Sequence, residues 1–128
     1  MILVDTSVWV GHLRAGDAEI VRLLEQNLVA MHPCIIGELA CGNLDDRDQL
    51  LGYFRKLPSA PKATDEEVLY FIDEAKLMGK GIGWVDAHLL ASVKLDPSQK
   101  LWTRDKRLKS VATELGLAWE RTGARRRG

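Results

Sequence analysis

The 128-residue chain lacks several features that mark specialised protein classes. It has only two cysteines and no CxxC pattern, so neither a disulfide framework nor a cysteine-rich zinc site is expected. No stretch approaches the roughly 18 apolar residues that span a bilayer, and Asp5 interrupts the apolar start. We therefore expect a cytoplasmic protein with no membrane partner and no signal peptide.

Net charge is also absent, because 18 basic residues balance 18 acidic ones. This balance excludes a polycation that holds nucleic acid by bulk charge alone. The charges are nevertheless unevenly spread, since residues 100–128 carry nine basic and three acidic side chains. We expect about residues 120–128 to form a disordered basic tail.

What is present is ordinary globular composition, with 46% hydrophobic and 28% charged residues. The length corresponds to one domain, so residues 1–128 are expected to form a single unit. Short apolar runs alternate with amphipathic helical patterns, which predicts an α/β sandwich around a parallel sheet. The predicted strands lie at 2–4, 28–31, 101–103 and 117–119, with a short edge strand within 58–63. The predicted helices begin near Thr6, Asp17, Pro33, Asp46, Thr64, Trp84 and Asp105.

Three carboxylates occupy positions where acidic side chains are not expected. Asp5 ends an apolar strand, Glu38 is the only charged residue within 33–43, and Asp86 is the only acid within 82–93. A lone ionised carboxylate on an apolar face must be paired, metal-bound or protonated. Neither Glu38 nor Asp86 has a lysine or arginine one helical turn away, so we expect these acids to meet each other.

The predicted topology brings a fourth acid to the same place. Asp105 follows the predicted strand 101–103, as Asp5 follows the first strand. Ligands of open parallel sheets bind at the carboxyl ends of the strands, which is where both residues lie. Four oxygen ligands suit a hard cation such as Mg²⁺ or Mn²⁺, and such sites commonly serve phosphoryl chemistry.

Each acid also has a purely structural interpretation. Asp105 can cap the helix that follows it, Asp86 can complement a helix dipole, Asp5 can cap the first helix, and Glu38 can pair with a distant arginine. These alternatives stay open for each residue taken singly. A shared site accounts for all four at once.

The order of these residues resembles that of the PIN-domain ribonucleases, and most closely the VapC toxins of prokaryotic type II toxin–antitoxin modules. The resemblance rests on Asp5-Thr6-Ser7-Val8-Trp9, the glutamate in an apolar helix, Asp86 and the segment Leu101–Leu108, and it extends from residue 2 to about 119. It implies a PIN-like three-layer α/β/α sandwich with a short central parallel sheet of about four to five strands.

The resemblance also implies a function and a set of site residues. The metal-binding and catalytic acids would be Asp5, Glu38, Asp86 and Asp105, with Thr6 and Thr103 as supporting polar residues. The implied activity is Mg²⁺- or Mn²⁺-dependent cleavage of RNA phosphodiesters. The implied partners are RNA, a VapB-type antitoxin and a second copy of the chain in a homodimer.

Three further residues near these motifs have two interpretations each. Arg104 and Lys106 flank Asp105, where they can either bind an RNA phosphate or form solvated surface. His88 follows Asp86 by two residues, and it can either contact the site or lie in the core.

Two other functions remain open at this point. A haloacid-dehalogenase-type phosphatase also begins with a strand that ends in aspartate, but it needs a second aspartate two residues later, where this chain has Ser7. A non-catalytic module could use the same four acids to bind one structural cation.

Overall fold

The computed structural model describes residues 1–120, so the basic tail expected at about 120–128 lies outside the described residues apart from Glu120. Helices connect the strands in this part, as the hydrophobic pattern predicts, but two helices follow β1 and four separate β2 from β3. The strands are β1 (Ile2–Val4), β2 (Val29–Ala30) and β3 (Lys100–Trp102). The helices are α1 (Thr6–Ala15), α2 (Ala18–Glu25), α3 (Pro33–Ala40), α4 (Arg47–Lys56), α5 (Asp65–Ala75), α6 (Trp84–Leu95) and α7 (Lys106–Glu114). None of these helices is long and apolar enough to cross a membrane.

The first strand of the chain lies in the middle of a parallel sheet. The strand order is β2–β1–β3, with Leu3 opposite Ala30 on one side and opposite Leu101 on the other. Leu3 and Val4 are completely buried, which requires that helices cover both faces of the strand. Because the strands are parallel, the loops that follow β1 and β3 meet at one edge of the sheet.

The expectation of four to five strands was too high, since the sheet contains three strands within residues 1–120. The segments predicted as strands at 58–63 and 117–119 each contribute a single bridge, through Ser59 and Ala118. The two prolines of the first segment cannot donate ladder hydrogen bonds, which prevents a longer pairing there. The α/β sandwich around a parallel sheet is otherwise confirmed.

The start of α1 differs from the sequence prediction. Asp5 occupies the N-cap position, but its side chain makes no capping hydrogen bond, and neither Thr6 nor Ser7 acts as the cap. The structural interpretation of Asp5 as a helix cap was therefore wrong. The side chains of all three residues bind other partners at the edge of the sheet instead.

The buried faces of two helices are also rotated relative to the prediction. The hydrophobic pattern predicts Val21 and Leu69 on the buried faces of α2 and α5, but they are 45% and 55% exposed. Leu23 lies on the buried face of α2 and Phe71 packs against the core from α5. In each helix the apolar residue two positions later packs inward, a choice that the helical period alone does not fix.

A histidine caps α3 from inside the core. His32 is completely buried, and its Nδ1 accepts a hydrogen bond of 3.0 Å from the backbone N–H of Cys34. Its Nε2 has no hydrogen-bond partner within residues 1–120. Burial, together with the nearby His88 and Lys62, lowers the pKa of His32 to about 4.

We predict that His32 makes the protein sensitive to mild acid. Folded His32 stays neutral, whereas unfolded His32 takes up a proton below about pH 6.5, so the free energy of unfolding falls by about 2 kcal/mol between pH 7 and pH 5. The variant His32→Asn keeps a capping oxygen without a titrating ring. Urea unfolding at both pH values should show a smaller acid loss in this variant, and an equal loss would contradict the prediction.

Candidate active site

The site begins with Asp5, whose carboxylate lies at the carboxyl end of β1 and is only 6% exposed. Its Oδ2 accepts hydrogen bonds from the hydroxyls of Ser7, at 2.8 Å, and Thr103, at 2.7 Å. Thr103 directly follows β3, the strand next to β1 in the sheet. The two strand ends are therefore joined through one carboxylate oxygen.

The same two hydroxyls also hold the loop that follows β3. Ser7 Oγ accepts from the backbone N–H of Arg104, and Thr103 Oγ1 accepts from that of Asp105, both at 3.0 Å. Each hydroxyl therefore donates its one proton in a hydrogen bond to Asp5 Oδ2 and accepts a hydrogen bond from a backbone N–H. Its Oδ1 accepts no hydrogen bond from residues 1–120 and remains available to a ligand.

Glu38 reaches the site from α3. Thr6 Oγ1, on the first turn of α1, donates a hydrogen bond of 2.6 Å to Glu38 Oε1. The contact fixes the position of one carboxylate oxygen although the residue is exposed. The distant arginine that could have paired with Glu38 is not found among the ion pairs of residues 1–120.

Asp86 provides the evidence that the predicted acids share one neighbourhood. It lies in the first turn of α6, half-buried, and its Oδ2 accepts from the backbone N–H of Gly83 at 3.2 Å. Burial raises the pKa of Asp86, the Gly83 hydrogen bond opposes this, and the negative charges of Asp5, Asp105 and Glu38 raise it further. Asp86 therefore lies close enough to each of the other three carboxylates for their charges to act on it.

Asp105 has a structural role as well as a place in this cluster. Its Oδ1 accepts a hydrogen bond of 3.0 Å from the backbone N–H of Leu108, so it caps α7 as the alternative interpretation proposed. Its charge nevertheless acts on Asp86. Capping and site membership are compatible because the second oxygen, Oδ2, accepts no hydrogen bond from residues 1–120.

The donor set fits a hard divalent cation. Each of the four acids has one oxygen fixed by a hydroxyl or a backbone N–H and one oxygen that accepts nothing from residues 1–120. Within these residues, no three acidic, histidine or cysteine side chains are already gathered closely enough to hold a metal ion. A bound cation would have to draw the free oxygens of these acids closer together.

Arg104 and Lys106, the residues that could bind RNA, differ in their surroundings. Arg104 forms an ion pair of 2.5 Å with Asp17, whose side chain is only 7% exposed. A Cβ atom at Gly11 would lie 2.8 Å from the Arg104 guanidinium, so a side chain there would displace the arginine where it crosses α1. Arg104 thus ties the loop after β3 to α1 and α2, whereas Lys106 is exposed on the first turn of α7.

His88 faces away from the acids. It is buried, its Nε2 lies 3.2 Å from Asp65 Oδ1, and its ring packs edge-on against Trp84 with 4.7 Å between the centroids. These contacts hold α6 against α5. The interpretation of His88 as a core residue is the one that agrees with the structure.

Sequence reasoning missed two residues of this region. The sequence suggests Ser7 as a possible helix cap, as part of the motif that begins at Asp5 and as evidence against a phosphatase, but not as a partner of Asp5, and it suggests Asp17 only as the start of a helix. Ser7 proves to bridge Asp5 and the loop after β3, and Asp17 holds Arg104. A hydroxyl two residues after Asp5 was a signal for the first, but none indicated the second.

The chain matches the model of the PIN domain over residues 2–114, and it therefore belongs to the PIN-domain family. It is 49% identical over 118 residues to ribonuclease VapC32 of Mycobacterium tuberculosis, in both strain CDC 1551 / Oshkosh and strain ATCC 25618 / H37Rv. That alignment covers 92% of this chain and 95% of each relative, so the chain is a VapC-type member of the family.

A solved structure agrees on the fold. The crystal structure of PAE2754 from Pyrobaculum aerophilum superposes with a TM-score of 0.58, covering 86% of this chain and 83% of that chain. Because the two sequences are only 20% identical, this likeness shows the shared fold and nothing more. Membership of the PIN family sets aside the haloacid-dehalogenase-type phosphatase.

We predict that Asp86→Asn stabilises the protein when no divalent cation is present. Ionised Asp86 is disfavoured by burial and by its acidic neighbours, and an asparagine carbonyl can still accept from Gly83. At neutral pH the free energy of unfolding should rise by about 0.5–1 kcal/mol, a typical size for half-exposed charge interactions. The gain should shrink as the pH falls and wild-type Asp86 takes up a proton.

Thermal melts in EDTA measure this difference. Asp45→Asn, which removes an exposed carboxylate from the loop before α4, is the matched control and should change stability little. If Asp86→Asn is instead less stable than wild type, the surroundings stabilise the ionised Asp86 carboxylate, contrary to this account.

Proposed function

We propose that this protein is a metal-dependent endoribonuclease that acts as the toxin of a VapBC-type toxin–antitoxin system. The observation that carries the proposal is the electrostatic coupling of Asp86 to Asp5, Glu38 and Asp105 at the carboxyl edge of the sheet. The relative with 49% identity is named a ribonuclease, which supports the same substrate class. We further propose a single domain over residues 1–128, a homodimer, and action in the cytoplasm.

The four acids would together hold Mg²⁺ or Mn²⁺ through their free oxygens. When bound, such a cation would neutralise charge on an RNA phosphodiester and lower the pKa of an attacking water. Asp5 would offer its Oδ1 to the cation, since Ser7 and Thr103 hold Oδ2. Thr6 does the same for Glu38, which is otherwise exposed and free to adopt other rotamers.

Substrate phosphates must approach an acidic site, so nearby cations have to attract them. Of the two residues flanking Asp105, we propose Lys106 as the phosphate-binding one. Arg104 would contribute mainly by positioning, since its guanidinium is paired with Asp17. Loss of Lys106 should therefore weaken RNA binding across sequences rather than change sequence preference.

The first test is cleavage of RNA by wild type and by Asp5→Asn. Asp5→Asn should lower the cleavage rate at least about a hundredfold, because removing a ligand exceeds the 10–100-fold effect of losing a ligand's supporting partner. Wild-type cleavage should stop in EDTA and return with Mn²⁺. Asp45→Asn serves again as the matched control.

A non-catalytic cation-binding module would give a different result. Such a protein would bind Mn²⁺ through the same acids but would cleave no RNA. Metal-dependent stabilisation without any cleavage by wild type would therefore favour the module over the nuclease.

The second test concerns the antitoxin. A cationic side chain placed among four carboxylates would block both the metal and the substrate, so we propose that a small partner inserts an arginine or lysine from its C-terminal part. Co-expression with small proteins from neighbouring reading frames should yield one that inhibits cleavage. Replacing its basic residue with alanine should reduce inhibition at least about tenfold, the range expected for a charge-assisted pair. A partner that inhibits equally well without that residue would contradict this mode of inhibition.

A further inference from the structure

Beside the acidic site lies a surface groove of about 630 Å³ with a cationic lining. Lys106 and Lys109 lie three residues apart on α7, so they project from the same side of the helix into the groove. Arg104 lines the groove as well, but its guanidinium is paired with Asp17. Within residues 1–120, Glu120 is the only acid in the lining. The groove therefore favours an anionic occupant.

The floor of the groove is aromatic. Trp102 follows Leu101, and Trp119 follows Ala118, the residue that pairs with Leu101 across the sheet edge. The two indole rings consequently pack together, with centroids 4.7 Å apart and planes at 50°. Trp102 is buried, whereas Trp119 is half-buried and lines the groove. An occupant would thus meet an indole ring held in place by a second one.

The groove shares one residue with the proposed site. Thr103 borders the groove, and its hydroxyl is one of the two that donate to Asp5. A chain that occupies the groove would therefore lie beside the residue that holds Asp5. Aromatic rings together with a cationic flank are what single-stranded nucleic acids bind, through base stacking and phosphate contacts.

We propose that this groove binds a single-stranded stretch of the RNA substrate next to the phosphate that is cut. A base stacks on Trp119, and a backbone phosphate lies between Lys106 and Lys109. This inference rests on the proposed ribonuclease function. It adds an aromatic surface on which any base can stack. The groove therefore contributes affinity and positions the strand, but it does not select a sequence.

The test measures binding of a short, labelled, unstructured RNA by fluorescence anisotropy at two salt concentrations. Cleavage is prevented either by Asp5→Asn or by EDTA with the wild-type site, so that binding is read separately from catalysis. Trp119→Leu should raise the Kd at least about fivefold, the lower end of base–aromatic stacking, with little change in salt dependence. Trp119→Phe keeps a ring and should retain most of the affinity.

Lys109→Ala tests the phosphate contact. It should raise the Kd and reduce the slope of log Kd against log salt by about 0.7, the value for one phosphate of a single strand. Lys56→Ala, an exposed lysine at the end of α4 outside the groove, is the matched control and should leave both quantities unchanged. Circular dichroism melts establish that each variant is folded at the assay temperature.

Several results would overturn the proposal. If Trp119→Leu and Lys109→Ala bind RNA as wild type does while wild type still cleaves it, the groove is not the RNA path although the enzyme is a nuclease. If RNA binds neither to the Asp5→Asn protein nor to the wild type in EDTA, both the groove proposal and the proposed function fail. If polyglutamate competes with RNA at equal charge concentration and Trp119→Leu has no effect, the groove accepts acidic peptides instead.

Discussion

A buried carboxylate at the end of the central strand is the feature on which the rest of the site depends. Asp5 is 6% exposed, and the hydrogen bonds that two hydroxyls donate to its carboxylate offset the cost of burying it. Those hydroxyls, on Ser7 and Thr103, accept in turn from the backbone of Arg104 and Asp105. The hydrogen bonds around this one carboxylate therefore hold the loop after β3 and the start of α7 in place. They also position Asp105, whose second carboxylate oxygen stays free.

Local sequence patterns predicted the central strand, the helices and the unusual acids, because burial and periodicity are written in neighbouring residues. Thr64 and Glu67 form the capping box that their three-residue spacing predicts, since both partners belong to one helical turn. The bonds from Thr103 to Asp5 and from Arg104 to Asp17 join residues 98 and 87 positions apart, which no local pattern specifies. The strands predicted at 58–63 and 117–119 form only single bridges for a related reason. Pairing at the edge of a sheet depends on which backbone groups the neighbouring strand leaves unpaired.

The basic residues that would attract RNA and the acids that would carry out its cleavage lie in separate regions of the molecule. Of the acids that would hold a cation, Asp5 and Asp105 follow strands and Glu38 and Asp86 lie on α3 and α6, while Lys106 and Lys109 line the neighbouring groove. Because net charge is zero, the protein has no bulk attraction for RNA, and recognition has to be local. Arg104 joins the two regions and is held between Asp17 and the backbone of α1 at Gly11.

The central claim is that the hydroxyl bound to Asp5 prepares the site for a cation. Calorimetric titration with Mn²⁺ of wild type, Thr103→Ser and Thr103→Val tests it most directly, because serine keeps the hydroxyl and valine keeps only the shape. The account predicts binding by wild type, nearly equal affinity for Thr103→Ser, and an affinity about 10–100-fold lower for Thr103→Val. Equal affinity in a folded Thr103→Val protein, or no binding by wild type, would contradict it.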